Sequence, residues 1–299
     1  MAIGEPSPEA SLALQAFARL LEGWTPARPW EPGRWGEDYD EALDQRLREL
    51  AGTDWWADPE GVRLGTAGAL ALGRAAAPLA WLDQAALGGA MALDGWVRYA
   101  RHASRAALPL PNGLGWCALP DAGDPVPFLD DWGIYRFPPE ACSVEARASP
   151  EESQRRWRAW AAGTVAYLAG LAERAFRQAL THVFARRQFD RPLAAQPLIQ
   201  HYLGEAAGVL EGLQALAWAA PDLPDWTPAL VYAGTAAVWI TALAHQLMGA
   251  LGFAVETGLH RAYRRAKAMQ VWNRRALAIL HGLLAGSFVE PGEGLFPFG

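Results

Sequence analysis

Apolar positions recur at helical spacing through much of the first hundred residues. Between Glu9 and Glu22, Leu12, Leu14, Phe17, Leu20 and Leu21 fall on one face of an amphipathic helix. Tyr39 to Leu50 alternates acids, arginines and leucines, which predicts a charged surface helix ending at Gly52. Leu64 to Leu82 and Ala85 to Arg101 are rich in Ala and Leu with internal glycines, a composition suited to close helix packing. Gly65, Gly68 and Gly73 lack the G-x-G-x-x-G spacing of a dinucleotide loop. Trp24 to Gly36, rich in Pro, Gly and Trp, reads as a loop, and residues 1–105 as a helical N-terminal domain.

The pattern changes at residue 106. Pro109, Pro111, Pro120, Pro125, Pro127, Pro138 and Pro139 break any helix, and the apolar pieces Trp116–Leu119 and Gly133–Phe137 predict two or three strands. Residues 106–149 are thus a short β or irregular segment, too small for an independent sheet domain. Helical spacing returns at Ser149-Pro150-Glu151-Glu152, an N-cap followed by Pro and by acids that complement the helix dipole. One long helix follows to Ala185, a second covers Gln196 to Ala220, a third Thr227 to Leu251, and a fourth Glu256 to Leu284. Long helices with short connections predict a C-terminal four-helix bundle over 150–299, in a protein that is mainly α.

Charge and composition narrow the function classes. A formal net charge of −6 speaks against a general nucleic-acid binder, which needs a basic face. Two cysteines, Cys117 and Cys142, are too few for a disulfide scaffold or a zinc cluster. The histidines form no H-x-x-x-H or H-E-x-x-H pair, so no metal site is expected. Lys267 is the sole lysine, which leaves almost no room for P-loop or Schiff-base chemistry. Trp226 to Val255 carries no formal charge and exceeds the ~20 residues that span a bilayer. Pro228, Gln246 and the glycines at 234, 249 and 252 interrupt it, so it reads as a buried helix ending at a Gly-rich turn, with no membrane partner. The N-terminus has neither the basic nor the apolar region of a signal peptide, and a cytoplasmic protein is expected.

Two segments carry more than their helices require. Ala185-Arg186-Arg187-Gln188-Phe189-Asp190-Arg191-Pro192-Leu193 is followed by Gln196 and Ile199-Gln200. Gln246-Leu247-Met248-Gly249-Ala250-Leu251-Gly252-Phe253 is followed by Tyr263-Arg264-Arg265-Ala266-Lys267 and Gln270-Val271-Trp272. In this order they resemble the C-terminal domain of the acyl-CoA dehydrogenases. That family shows R-x-Q-F-G-R-P-L with Q and I-Q behind it, then Q-x-x-G-G-x-G-[FY], then [YM]-R-D-A-[KR]-x-x-Q-[IV]-Y-E-G-T. Leu72-Gly73-Arg74-Ala75-Ala76-Ala77-Pro78 is similar to the E-x-L-G-R-x-x-x-P stretch of the family's helical N-terminal domain. The family's middle β domain is here reduced to 106–149, and its W-I-T segment beside the flavin has no counterpart.

The resemblance implies a fold, a cofactor and a set of residues. Arg186 and Gln188 would meet the adenosine and pyrophosphate half of FAD across a subunit interface, with Phe189 beside the cofactor. A guanidinium suits a pyrophosphate because it donates in a fixed fork. Gln246 and Gly249 match the Q-x-x-G-G segment, where small residues let backbone approach the phosphates. Asp190, Ala250 and Arg274-Arg275 replace glycines and a Gly-Thr of the pattern, so FAD binding is expected to be weakened or lost.

Catalysis fares worse. Asn273 stands where the family's pattern has the Glu that removes the substrate α-proton, and Trp160 stands at the alternative base position on the first bundle helix. Asn has no basic site near neutral pH. Glu256 and His260, spaced for one helical face, are the remaining carboxylate–His pair that could serve. The expectation is an acyl-CoA dehydrogenase-like, non-catalytic or partner-dependent subunit, acting with a catalytic acyl-CoA dehydrogenase subunit or as a homo-oligomer, dimer or tetramer. Two other readings stand beside it. One is an active FAD-dependent acyl-CoA oxidoreductase with an unusual base, the other a flavin-free acyl-thioester-binding or scaffold homo-oligomer.

Overall fold

The computed structural model of the protein describes residues 5–25, 38–51, 57–111, 113–119, 124–126, 128–137 and 143–281. The loop read at Trp24–Gly36 lies largely outside the described residues, as does Leu284. In chain order the helices are α1 (Pro8–Leu20), α2 (Glu41–Ala51), α3 (Pro59–Ala75) and α4 (Ala80–Leu87). Strands β1 (Ala90–Leu93), β2 (Trp96–Arg98), β3 (Arg105–Leu110), β4 (Gly113–Ala118), β5 (Ile134–Arg136) and β6 (Ala146–Arg147) follow. The 36-residue α5 (Pro150–Ala185) leads into β7 (Arg187–Gln188) and β8 (Arg191–Pro192), then α6 (Pro197–Ala219), α7 (Thr227–Met248) and α8 (Leu259–Leu280). The chain divides into two compact units. The first is made of residues 1–24, 66–77 and 162–270, the second of 25–65, 78–161 and 271–299.

Backbone proximity organises the first unit. A Cβ on Gly73 would lie 2.1 Å from the Tyr167 carbonyl oxygen, and one on Gly170 2.4 Å from that of Leu70, so α3 and α5 cross on these glycines. Just past α3, Ala76 takes φ 51° and Ala77 N–H returns to the Leu72 carbonyl at 2.9 Å. That left-handed residue ends the helix. Arg265 of α8, fully buried, donates to the carbonyls of Ala76 and Ala77 at 2.5 Å, and Tyr167 Oη donates to Ala77 at 2.6 Å. A cation at a helix C-terminus satisfies its orphan carbonyls and its dipole together. Burial still pushes the Arg265 guanidinium down to about 9. The apolar stretch Thr227–Phe253 is long enough to cross a membrane, and 56% of its most apolar window is buried inside the protein, as a core helix is.

The second unit holds a six-stranded sheet in the order β5-β2-β1-β3-β4-β6. All pairings are antiparallel except β1 with β3. Its core gathers Ala90, Ala92, Val97, Ala106, Leu108, Cys117, Tyr135 and Phe137.

Two sequence readings are corrected here. Leu64–Leu82 is not one helix, because Ala76 and Pro78 separate α3 from α4. Ala85–Arg101 is not a helix either. α4 ends on Gly88 at φ 73°, and the next residues are β1 and β2, joined by Asp94-Gly95 at φ 48° and 78°. The burial of all four β1 residues erased the alternation that marks a strand, and an Ala/Leu run of that length carries no period of its own. The Asp-Gly pair was the legible signal, since positive φ at both central residues makes a hairpin turn.

Candidate functional site

The residues matching the cofactor motif all lie in the first unit. α5 closes with Arg186 N–H on the His182 carbonyl at 2.8 Å, and the chain turns back through the β7–β8 hairpin. Its two-residue loop, Phe189-Asp190, has φ 52° and 62°. This is the turn that Asn-Gly usually fills, because a left-handed L residue costs roughly 1–2 kcal/mol. Asp is among the few residues that tolerate the conformation, which is how it stands where the family's pattern has Gly. The Phe189 ring sits 86% exposed at the tip. Arg187 Nη2 donates to the Asp190 carbonyl at 2.5 Å, whereas the exposed side chains of Arg186 and Gln188 have no hydrogen-bond partner among the described residues.

Gln246 is exposed in the last turn of α7. Gly249 follows at φ 58° and ψ −135°, a conformation close to reserved for Gly, with open space where a Cβ would stand. Gly252 is needed for packing, since a Cβ there would come 2.8 Å from the His245 carbonyl oxygen. His182, one turn before Arg186, and Met248, within the second segment, line one groove of this unit. An exposed guanidinium, a free amide and an uncovered Gly backbone are a donor set that fits a phosphate-bearing cofactor.

Trp160 and Asn273, which the resemblance sets at the family's base positions, lie in the second unit, and both are buried. Trp160 donates through Nε1 to Asp83 Oδ1 at 3.1 Å. Asp83, on α4, also takes a fork from Arg98 of β2: Nε to Oδ2 and Nη2 to Oδ1, each 2.6 Å. The Arg98 guanidinium lies over the rings of Trp132, 4.7 Å from its centroid, and Trp272, 5.4 Å away. Trp272 Nε1 donates to Met91 Sδ at 3.1 Å. Asn273, 3% exposed, follows Trp272, and neither its Nδ2 nor its Oδ1 has a partner among the described residues. Both oxygens of the carboxylate beside Trp160 are engaged, so Asp83 is an anchor for Arg98 rather than a free base. Sequence reading missed this cluster: the pair spans two elements 15 positions apart and matches no motif.

The remaining candidates separate. Glu256 is exposed in a single 3-10 turn, Val255–Thr257, and Gly258 at φ 64° breaks the chain before α8 begins. Glu256 and His260 therefore do not share a helical face. Burial, then Arg264, Arg261 and His245, push the His260 imidazole down to about 4, far from the range of a base working near neutrality. Of the residues replacing Gly-Thr, Arg275 pairs with Asp94 in the β1–β2 turn, and Arg274 is exposed.

Comparison with known proteins converges on one family. Residues 159–273 match the family model for the acyl-CoA dehydrogenase C-terminal domain. Cyclohexane-1-carbonyl-CoA dehydrogenase of Geobacter metallireducens is 31% identical over 111 residues, 34% of this chain and 29% of that protein. The chain therefore matches less than a third of that relative's length. Among solved structures, the ChsE4-ChsE5 complex of Mycobacterium tuberculosis superposes with a TM-score of 0.70 at 16% identity, covering 93% of this chain and 97% of the other. Butyryl-CoA dehydrogenase of Megasphaera elsdenii gives a TM-score of 0.70 at 16% identity, covering 93% and 98%. The fold is that of the acyl-CoA dehydrogenases, mostly helical with a small sheet. Within that fold, residues 159–273 match the acyl-CoA dehydrogenase C-terminal domain.

Proposed function

We propose that this chain is a non-catalytic subunit of an FAD-dependent acyl-CoA-oxidising assembly, completing the cofactor site of a partner that carries the base. The observation behind this reading is a contrast between two sets of residues. Arg186, Gln188, Phe189 and Gly249 are exposed, while Trp160 and Asn273 at the base positions are buried and non-basic. Bound FAD supplies the hydride acceptor of acyl-CoA oxidation. In this chain Arg186 would hold its pyrophosphate, Gln188, Gln246 and the bare backbone at Gly249 would add hydrogen bonds, and Phe189 would cover it. The Asn273 amide cannot accept an α-proton, and loss of a positioned base costs on the order of 10²–10⁴ in rate. Chemistry then falls to the partner subunit. A structural neighbour described as a complex of two differently named chains supports a mixed assembly.

The flavin-free homo-oligomer, a dimer or tetramer that binds acyl thioesters, is favoured by Asp190, Ala250 and Arg274, all exposed, which stand where the pattern has Gly. The discriminating experiment is co-expression with an acyl-CoA dehydrogenase subunit that bears the Glu. Flavin content and bleaching by acyl-CoA are measured with wild-type chain and with Arg186→Ala. The mixed-subunit reading expects Arg186→Ala to lower bound flavin while the two chains still co-purify. Unchanged flavin content would overturn it.

A further inference from the structure

A basic groove runs along α5 in the first unit, over the turns that precede the hairpin in sequence. Arg74 near the end of α3 joins Glu173, Arg174, Arg177 and Gln178 of α5 around a hollow of about 430 Å³. A second hollow, of about 420 Å³, continues from the shared Arg177 and Gln178 to Thr181 and His182, with Met248 and Thr257 opposite. Arg174 stands 11 residues before the helix end at Ala185, about 16 Å along the axis at 1.5 Å per residue. Its donors are thus distinct from those of Arg186.

The groove is organised around one carboxylate. Glu173, 3% exposed, accepts Arg177 on Oε1 at 2.8 Å, and on Oε2 both Arg74 and Gln214, each at 2.8 Å. It holds two guanidinium groups in place and leaves further N–H donors on each. Arg174 donates Nη1 to the Arg74 carbonyl at 3.2 Å, and its Nε is buried with no partner among the described residues. Gln178 gives Nε2 to the Thr257 carbonyl at 3.0 Å. Three arginines against one glutamate leave the lining with a surplus of two positive charges. Burial, and then neighbouring Arg261, push the Arg174 guanidinium below its ordinary range. Assembling like charges in a half-buried groove is unfavourable in the free protein, and a bound anion removes that cost.

We propose that this groove is a binding site for a diphosphate group, presented by a nucleotide or as the free anion. Guanidinium forks match phosphate oxygens in pairs, and three of them offer more donors than a carboxylate can accept. Paired hollows of this volume exceed the needs of a single phosphate.

The test is calorimetric titration of the whole chain at low ionic strength with inorganic pyrophosphate and, separately, with ADP. Arg177 has a side chain 74% exposed, and its loss leaves Glu173 held by Arg74 and Gln214, so Arg177→Gln should fold normally. Saturable one-to-one binding is expected, weakened at least tenfold by Arg177→Gln and further by adding Arg174→Gln, and unchanged by Arg186→Ala. Tighter binding of ADP than of pyrophosphate identifies a nucleotide, and equal affinities identify the diphosphate itself; both support the site. Absence of saturable heat, or equal binding by Arg177→Gln, overturns it. Loss of binding in Arg186→Ala alone would place the anion at the hairpin, against this site and in keeping with the cofactor reading.

Discussion

The indole of Trp160 and the carboxylate of Asp83 are joined by a buried 3.1 Å hydrogen bond. At a position where the family can place a base, this chain has an aromatic donor that helps neutralise a carboxylate already forked by Arg98. Removing one partner of a buried ion pair leaves the other charge uncompensated, at a cost of about 3–5 kcal/mol. Asp83→Asn is therefore expected to lower unfolding stability by that amount in a urea titration. Trp160→Phe, which removes one hydrogen bond to a charged group, should cost only about 1.5–3 kcal/mol. A harmless Asp83→Asn would show that the pair anchors nothing.

Asn273 is a buried amide without hydrogen-bond partners among the described residues. An unsatisfied buried polar group costs about 1–3 kcal/mol, so replacement by an apolar residue of similar size relieves a penalty. Asn273→Leu should leave the isolated chain equally stable or raise its urea midpoint. A large loss of stability would mean that the amide has a structural bond.

At the hairpin tip, Phe189 holds a left-handed conformation that suits Asn or Gly far better. The double change Phe189→Asn with Asp190→Gly should raise the melting temperature of the isolated chain. The same change should weaken association with a partner subunit in sedimentation analysis, because the exposed ring is gone. Unimpaired assembly would show that Phe189 has no interface role.

His260 makes stability depend on acid. Its folded value of about 4 lies below the ordinary 6.5, so between those values the unfolded chain binds the extra proton. The stabilising contribution is complete above pH 6.5 and is lost as pH falls toward 4. Urea midpoints at pH 7 and pH 4.5 should differ less in His260→Gln than in the wild type.

The sequence carried the long helices and the family motifs because both are local patterns. α5 begins and ends where its Ser-Pro-Glu-Glu cap and the Arg-x-Gln-Phe segment predict. The hairpin hidden inside that segment was not legible, since Phe189-Asp190 is a poor turn pair by propensity and is held by cross-strand bonds around it. Strand β1 was missed because full burial removed its alternation, and β2, three residues long, is too short to show one. The Asp83–Arg98–Trp160 cluster depends on tertiary contact alone. At the site, the non-basic chemistry of Asn273 and Trp160 follows from residue type before any geometry.

The most direct measurement is the visible absorption spectrum of the purified chain after incubation with FAD and desalting, with and without an acyl-CoA. A non-catalytic, site-completing subunit predicts that the isolated chain keeps no stoichiometric flavin and that none of its absorbance is bleached by acyl-CoA. One flavin per chain, reduced on adding acyl-CoA with no partner present, would contradict that account.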